Sequence, residues 1–162
     1  MNSPTLQTLA RPTRRAWLRL ASGATATAVA WVGTPRPAAA TASELGAALA
    51  HFTGGAPVQV GRITLEVAEL VENGNSVPIT MTVASPMTPA DHVVRLALFT
   101  ERNPQPEVLV FQLGPRAGRA HVATRVRLAT SQPLVALAQL SDGTFWSHRV
   151  EVIVTLAACV EA

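Results

Sequence analysis

From residue 41 onward, the spacing of apolar positions divides the chain into one helix followed by a series of strands. Leu45, Leu49 and Phe52 recur at helical intervals between Thr41 and Thr53. Ser43 is the expected N-cap, Glu44 sits in the first turn where a carboxylate meets the helix dipole, and Gly54-Gly55 stops the helix. The period then changes to two. Val58 to Val60 and Ile63 to Val67 read as strand, and Glu72-Asn73-Gly74-Asn75 reads as a turn, because Asn-Gly adopts positive φ at little cost. Val77 to Ala84 is a β-branched run stopped by Ser85-Pro86. Val93 to Thr100 ends before Asn103-Pro104-Gln105-Pro106, and Val108 to Leu113 ends before a turn over Pro115 to Gly118. From His121 to Ala129, Val122, Thr124, Val126 and Leu128 alternate with Arg125 and Arg127. Leu134 to Leu140 follows, Asp142-Gly143 turns the chain, and Thr144 to Leu156 is the longest strand, with Val150, Val152 and Val154 on one face.

About seven strands spaced near ten residues apart, with turn chemistry between them, predict an all-β, antiparallel β-sandwich of immunoglobulin-like architecture preceded by a short N-terminal helix. At 162 residues, the chain has room for one such domain. It lacks the paired cysteines of antibody-type domains, since Cys159 is its single cysteine.

The first 40 residues have a different character. Thr13-Arg14-Arg15-Ala16-Trp17-Leu18-Arg19 is a charged start, Ala21 to Gly33 a moderately apolar stretch, and Ala38-Ala39-Ala40 an A-x-A cleavage site. The Arg14-Arg15 pair followed by a bulky apolar pair matches the twin-arginine address, so residues 1–40 read as a signal peptide for export to the periplasm. The apolar stretch is too short, and too rich in Thr and Gly, for a membrane span of about 20 residues. This assignment changes the meaning of the charge. The whole chain carries +3, all its basic residues are arginines, and five of the thirteen precede residue 41. Cleavage leaves eight arginines against ten carboxylates, a net charge of −2. A mildly acidic exported domain argues against nucleic-acid binding.

Candidate chemistry is sparse. His51, His92, His121 and His148 have no spacing suited to a shared metal, and one cysteine is available to join them. No phosphate loop or nucleophile elbow is present. Glu66, Glu69 and Glu72 read as a solvated edge rather than an acid–base pair, and Arg125 and Arg127 as a solvated strand face that could also meet an anion. That leaves Cys159 on the tail Leu156-Ala157-Ala158-Cys159-Val160-Glu161-Ala162. One cysteine forms no internal disulfide, and a thiol on the fourth residue from the end of an exported chain is expected to be exposed. An extended tail would carry it about 10 Å beyond Leu156. A thiol on such an arm, with Ala157, Ala158 and Val160 as its flanks, suits a covalent carrier visited by several enzymes. Its reactive form is the thiolate, for which His148 is the nearest base in sequence.

Several short segments, in their order and spacing, resemble the SoxY family, the sulfur-carrying subunits of thiosulfate oxidation. They are Glu72-Asn73-Gly74 with Val77-Pro78, Ser85-Pro86-Met87-Thr88, Asn103-Pro104, Thr124-Arg125-Val126-Arg127-Leu128-Ala129, Ser131-Gln132, Asp142-Gly143, and Val152-Ile153-Val154-Thr155 leading to the near-terminal cysteine. The resemblance implies a heterodimer with a SoxZ-like subunit and covalent loading of sulfur at Cys159. It implies no cofactor and no catalysis by the carrier itself. Sox enzymes would act on it in turn: a c-type haem enzyme joins thiosulfate to the cysteine, a hydrolase releases sulfate, and a molybdenum-haem sulfane dehydrogenase oxidises the remaining sulfur. The family arm is Gly-Gly-Cys-Gly-Gly at the chain end. Here Ala157-Ala158 precede the cysteine, and Val160-Glu161 and a further Ala162 follow it. Alanine is less free than glycine, valine is stiff, and Glu161 places a negative charge near a thiolate or anionic adduct. Two functions therefore stand: a periplasmic sulfur carrier, and a partner-binding assembly subunit whose arm has degenerated.

Overall fold

The helix begins behind a complete capping box. In the computed structural model, which describes residues 41–158, α1 spans Ala42–Thr53. Its N-cap is Thr41, not Ser43. The Thr41 backbone is extended, its hydroxyl accepts the Glu44 N–H, and the Glu44 carboxylate accepts the Thr41 N–H at 2.6 Å. The pairing of a hydroxyl residue with Glu three positions later selects Thr41. Gly54, at φ 63°, closes the other end in the left-handed conformation. Residues 1–40, with the twin-arginine segment, lie outside the described residues. Among the described residues no helix is long and apolar enough to cross a membrane.

Nine strands follow: β1 (Val58–Val60), β2 (Ile63–Glu66), β3 (Leu70–Asn73), β4 (Val77–Val83), β5 (Val93–Thr100), β6 (Glu107–Gln112), β7 (His121–Val126), β8 (Gln132–Leu140) and β9 (Phe145–Leu156). A short 3-10 turn at Pro115–Ala117 separates β6 from β7. The larger sheet has the order β1-β9-β8-β5-β6, with β3 also paired to β9, and the smaller has the order β2-β4-β7. The all-β sandwich expected from the alternation is therefore present, and its two sheets are open.

Two details differ from the expectation. β3 has no counterpart among the expected strands: it buries only Val71 and so shows no apolar alternation, and its Glu72-Asn73 falls inside the expected turn. β1 and β3 also run parallel to β9 at its two ends, with Val58 opposite Phe145 and Leu70 opposite Ile153. Alternation encodes which face a residue takes and carries no information on strand direction.

The core has two parts. Between the sheets, Val77, Ile79, Met81 and Val83 of β4 meet Leu96 and Leu98 of β5, Leu134 and Leu140 of β8, and Val152 of β9. On the outer face of the larger sheet, Ala97, Phe99, Val135, Leu137 and Phe145 are covered by Leu45 and Phe52 of α1. β5 and β8 are buried on both faces, which is why they read as unbroken apolar runs. The Phe52 ring stands edge-on to Phe99 and Phe145, at 5.5 and 6.2 Å between centroids. The Arg95 guanidinium lies 4.2 Å over the Phe52 ring and donates to the Phe52 carbonyl at 2.9 Å. That contact fixes the helix end against the sheet.

Candidate functional site

The site is built where β9 ends. Thr155 Oγ1 donates to the Glu72 carbonyl at 3.1 Å. The Gly74 N–H then donates to the Leu156 carbonyl at 2.8 Å, and the Leu128 N–H donates to the Gly74 carbonyl at 2.8 Å. Finally the Ala158 N–H donates to the Leu128 carbonyl at 3.2 Å. The tail is thus tied to the body two residues past the last strand. Ala157 is exposed, but Ala158 is buried, at 7% exposure. An arm leaving the body at Ala157 does not describe this geometry: Ala158 is part of the body. Cys159, Val160 and Glu161 lie outside the described residues.

Gly74 is required sterically. A Cβ at this position would sit 2.4 Å from the Leu128 carbonyl oxygen and 3.0 Å from the Ala158 nitrogen. Both are backbone atoms: real Cβ atoms essentially never come as close as the first contact, and the second is tighter than nine in ten. The turn expected at Asn73-Gly74 is present, but Gly74 does not take positive φ. The glycine instead serves close approach of three backbone segments.

Buried amides brace the junction. Asn103 donates from Nδ2 to the Arg127 carbonyl at 2.8 Å. Its Oδ1 accepts the Ala129 N–H at 2.9 Å and Gln132 Nε2 at 2.8 Å. Gln132 Oε1 in turn accepts the Arg102 N–H at 2.7 Å. Ser131 Oγ accepts the Val154 N–H at 2.9 Å, joining the same loop to β9. Asn103 is 9% exposed and Gln132 2%, so these amides satisfy backbone groups that water reaches poorly. Segments that sequence analysis noted separately therefore meet at one end of the sandwich: Glu72-Asn73-Gly74, Asn103, Arg127-Leu128-Ala129, Ser131-Gln132 and the end of β9.

The remaining candidates are elsewhere. His148 is half-buried in β9, and its Nδ1 accepts the Leu65 N–H of β2 at 2.9 Å. It links the two sheets, ten residues before Ala158 in the chain. It also lines an open groove of about 710 Å³ with Leu65, Glu66, Glu69, Arg149 and Glu151. His148→Phe keeps the bulk but leaves the Leu65 N–H without its acceptor. Thermal or urea unfolding is expected to show a loss of about 1–3 kcal/mol. His92 contacts the Thr88 carbonyl and His121 the Thr82 hydroxyl, so the histidines are dispersed. Among the described residues, no group of three or more His, Cys, Asp or Glu is arranged to hold a metal ion. Arg125 donates to Ser76 Oγ at 3.3 Å, while Arg127 lies just past the end of β7, exposed. The Asp142 carboxyl, in the β8–β9 turn, is held below the usual carboxylate range by the hydroxyl and amide of Thr144, with a smaller contribution from Arg62.

The fold and this junction define a class: an open two-sheet β-sandwich whose β9 end is tied to the body through Ala158, the residue before the cysteine in sequence. Residues 49–159 match the family described as sulfur oxidation protein SoxY, a match that ends on Cys159, and the chain belongs to the SoxY family. The solved structure of the sulfur carrier protein SoxY from Chlorobium limicola f. thiosulfatophilum is 32% identical. That likeness covers 72% of this chain and all of the other, with a TM-score of 0.60. Superoxide reductases share the fold alone. The protein from Ignicoccus hospitalis is 18% identical over 57% of this chain and 78% of its own, with a TM-score of 0.52. The one from Nanoarchaeum equitans is 14% identical over 59% of this chain and all of its own, with a TM-score of 0.51. No curated protein sequence matches the chain.

Proposed function

We propose that this protein is a periplasmic sulfur carrier that holds thiosulfate-derived sulfur covalently on Cys159. One observation supports this reading above the others: the family match runs through the body and stops at the cysteine, the chain's only thiol. The Chlorobium relative, described as a sulfur carrier, is matched over its whole length. The Arg14-Arg15 leader supports export, and the protein then acts as a substrate of other enzymes rather than as an enzyme.

The chemistry balances as follows. The Cys159 thiolate and the terminal sulfur of thiosulfate form an S–S bond, and two electrons leave one at a time through the c-type haem of a loading enzyme to one-electron acceptors. The product is a protein S–S–SO₃⁻ adduct. Attack of water on its outer sulfur breaks the S–SO₃ bond, giving sulfate, two protons and a protein persulfide. A sulfane dehydrogenase then oxidises the outer sulfur: three waters supply its oxygens, six protons leave and six electrons pass to the enzyme's acceptor, and hydrolysis of the resulting S–SO₃⁻ group gives sulfate and the free thiol. The carrier supplies only the thiol and its placement.

A SoxZ-like subunit is the proposed partner. Val60 of β1, Leu70 of β3 and Ile153 and Leu156 of β9 leave apolar side chains exposed along one border of the larger sheet, from 59% to 83% exposed, and offer a surface for it.

The arm favours one further reading, an assembly subunit that binds the partner without being loaded. Ala157, Ala158, Val160 and Glu161 replace the glycines of the family arm. Intact-mass measurement of the exported protein, incubated with thiosulfate and the loading enzyme, separates the two. A gain of one thiosulfate supports the carrier. An unchanged mass with the partner still bound supports the assembly subunit. Ala157→Gly with Val160→Gly is expected to raise the loading rate several-fold by restoring backbone freedom on both sides of the thiol. A rate no higher than the parent's contradicts the arm argument. Ala158 is left unchanged in that variant because it belongs to the buried junction.

A further inference from the structure

We propose that a stripe of arginines along β7 is a docking surface for the enzyme that loads the carrier, engaged by a carboxylate-rich face of that enzyme. The proposal rests on the carrier reading and adds to it the place where the visiting enzyme binds. β7 is an edge strand of the smaller sheet, in the order β2-β4-β7. Its odd-numbered positions face away from the core. Arg119 just before the strand, His121, Ala123 and Arg125 within it, and Arg127 just after it are all exposed, whereas Ala120, Val126 and Leu128 between them are buried. From His121 to Arg127 the stripe is about 20 Å long.

No carboxylate lies among these charges. The sequence holds none between Glu107 and Asp142. On the neighbouring strand β4, the residues opposite His121, Ala123 and Arg125 are Thr82, Thr80 and Pro78, all uncharged. Three arginines elsewhere are engaged: Arg62 pairs with Asp91, Arg149 with Glu151, and Arg95 lies over Phe52. Among the described residues, Arg116, Arg119, Arg125 and Arg127 form no ion pair. A domain whose net charge from residue 41 onward is −2 thus concentrates unpaired positive charge at the β7 edge. Guarding an edge strand against a second copy takes a charge or two. Four arginines without a carboxylate exceed that need.

The occupant follows from what the stripe lacks. Binding to a membrane surface couples basic residues to apolar ones that insert. The large apolar side chains left exposed are Val58, Val60, Leu70, Val110, Ile153 and Leu156, on β1, β3, β6 and β9, and none is on β7 or β4. An apolar border suits a permanent subunit. A charged stripe without apolar residues suits a partner that must leave again, because charge complementarity speeds encounter more than it deepens affinity. Arg125 and Arg127 are about 7 Å apart along the strand, within one screening length at physiological salt, so their fields add. The stripe also leads to the functional end. Arg127 adjoins Leu128, whose carbonyl accepts the Ala158 N–H, and the Arg127 carbonyl is held by Asn103. An enzyme seated on β7 therefore borders the end of the sandwich where Ala158 is tied down.

The test is the rate constant for association of the exported protein, with any subunit that copurifies, with the c-type haem loading enzyme, followed by stopped flow from roughly 20 to 200 mM salt. The parent's rate is expected to fall about tenfold over that range. Combining Arg119→Gln, Arg125→Gln and Arg127→Gln is expected to slow association about tenfold at low salt and to flatten the salt dependence. The melting temperature should stay near the parent's, because the three side chains are exposed. Arg125→Gln alone is expected to slow association about twofold, whereas Arg149→Gln, which removes a charge of the same sign from β9, leaves it unchanged. Equal rates and salt slopes in the parent and the triple variant overturn the docking surface, as does equal slowing by Arg125→Gln and Arg149→Gln. Failure of the parent to associate at the lowest salt overturns it as well. So does cosedimentation with phosphatidylglycerol vesicles that the parent shows and the triple variant loses, while both associate with the enzyme alike. The carrier reading fails separately: a protein that associates through the stripe and gains no thiosulfate adduct keeps the docking surface and loses the cargo.

Discussion

Cys159→Ser is expected to abolish thiosulfate loading completely while leaving the fold and its stability unchanged. The chain has no second cysteine to take over, and a serine oxygen forms no sulfur–sulfur bond. A hydroxyl is also un-ionised at neutral pH, whereas an ordinary thiol is already a few per cent thiolate. Among the described residues the tail is tied to the body last by Ala158 to Leu128, one residue before the substitution, so unfolding curves should overlay those of the parent. The check is intact mass after incubation with thiosulfate and the loading enzyme, alongside thermal unfolding. An adduct that survives in the serine variant places the loading site elsewhere. A large stability loss would show that the thiol is part of the core.

Asn103→Ala is expected to be the most damaging of the polar substitutions, at about 2–4 kcal/mol, because it leaves several buried groups without partners at once. The Arg127 carbonyl, the Ala129 N–H and Gln132 Nε2 each lose a bond of 2.8–2.9 Å. Water entering the space left by the side chain would recover part of the loss, so the effects fall short of additive. By contrast, His148→Phe orphans one backbone N–H. Urea unfolding of both variants checks the order. A cost for Asn103→Ala no greater than for His148→Phe would show that the amide network is not what holds the 127–132 segment in place.

Much of the body was legible in the sequence because its elements satisfy one rule each. β4 alternates buried and exposed positions over Val77–Val83, and its pattern names its core residues directly. β5 and β8 read as continuous apolar runs because α1 covers the outer face of the sheet where they lie. The helix was found, but its cap was placed two residues late. Ser43 and Thr41 both carry hydroxyls, and only the reach of Glu44 back to the Thr41 N–H distinguishes them. β3 was hidden because a strand of four residues that buries one of them lacks a period. Its parallel pairing with β9 depends on tertiary contact between distant segments.

The functional end was legible in its chemistry and not in its mechanics. Cys159 stood out by type and position. Gly74, Asn103 and Gln132 stood out as marks of family resemblance, without an assigned role. A signal was present: Gln132 opens a strand that is buried throughout, and Asn103 sits where a loop could be expected to be solvated. Polar residues in such places need partners, and those partners are backbone groups some 25 residues away in the chain, which no local pattern can reveal. The burial of Ala158 was equally hidden, because an alanine near a chain end fits an exposed tail as well as a docked one.

The most direct test of the central claim is tandem mass spectrometry of the C-terminal peptide, on protein isolated from the periplasm of cells oxidising thiosulfate. The account predicts thiosulfate- or sulfane-derived mass on Cys159, removed by a thiol reductant. A Cys159 recovered entirely as the free thiol throughout thiosulfate turnover would contradict it.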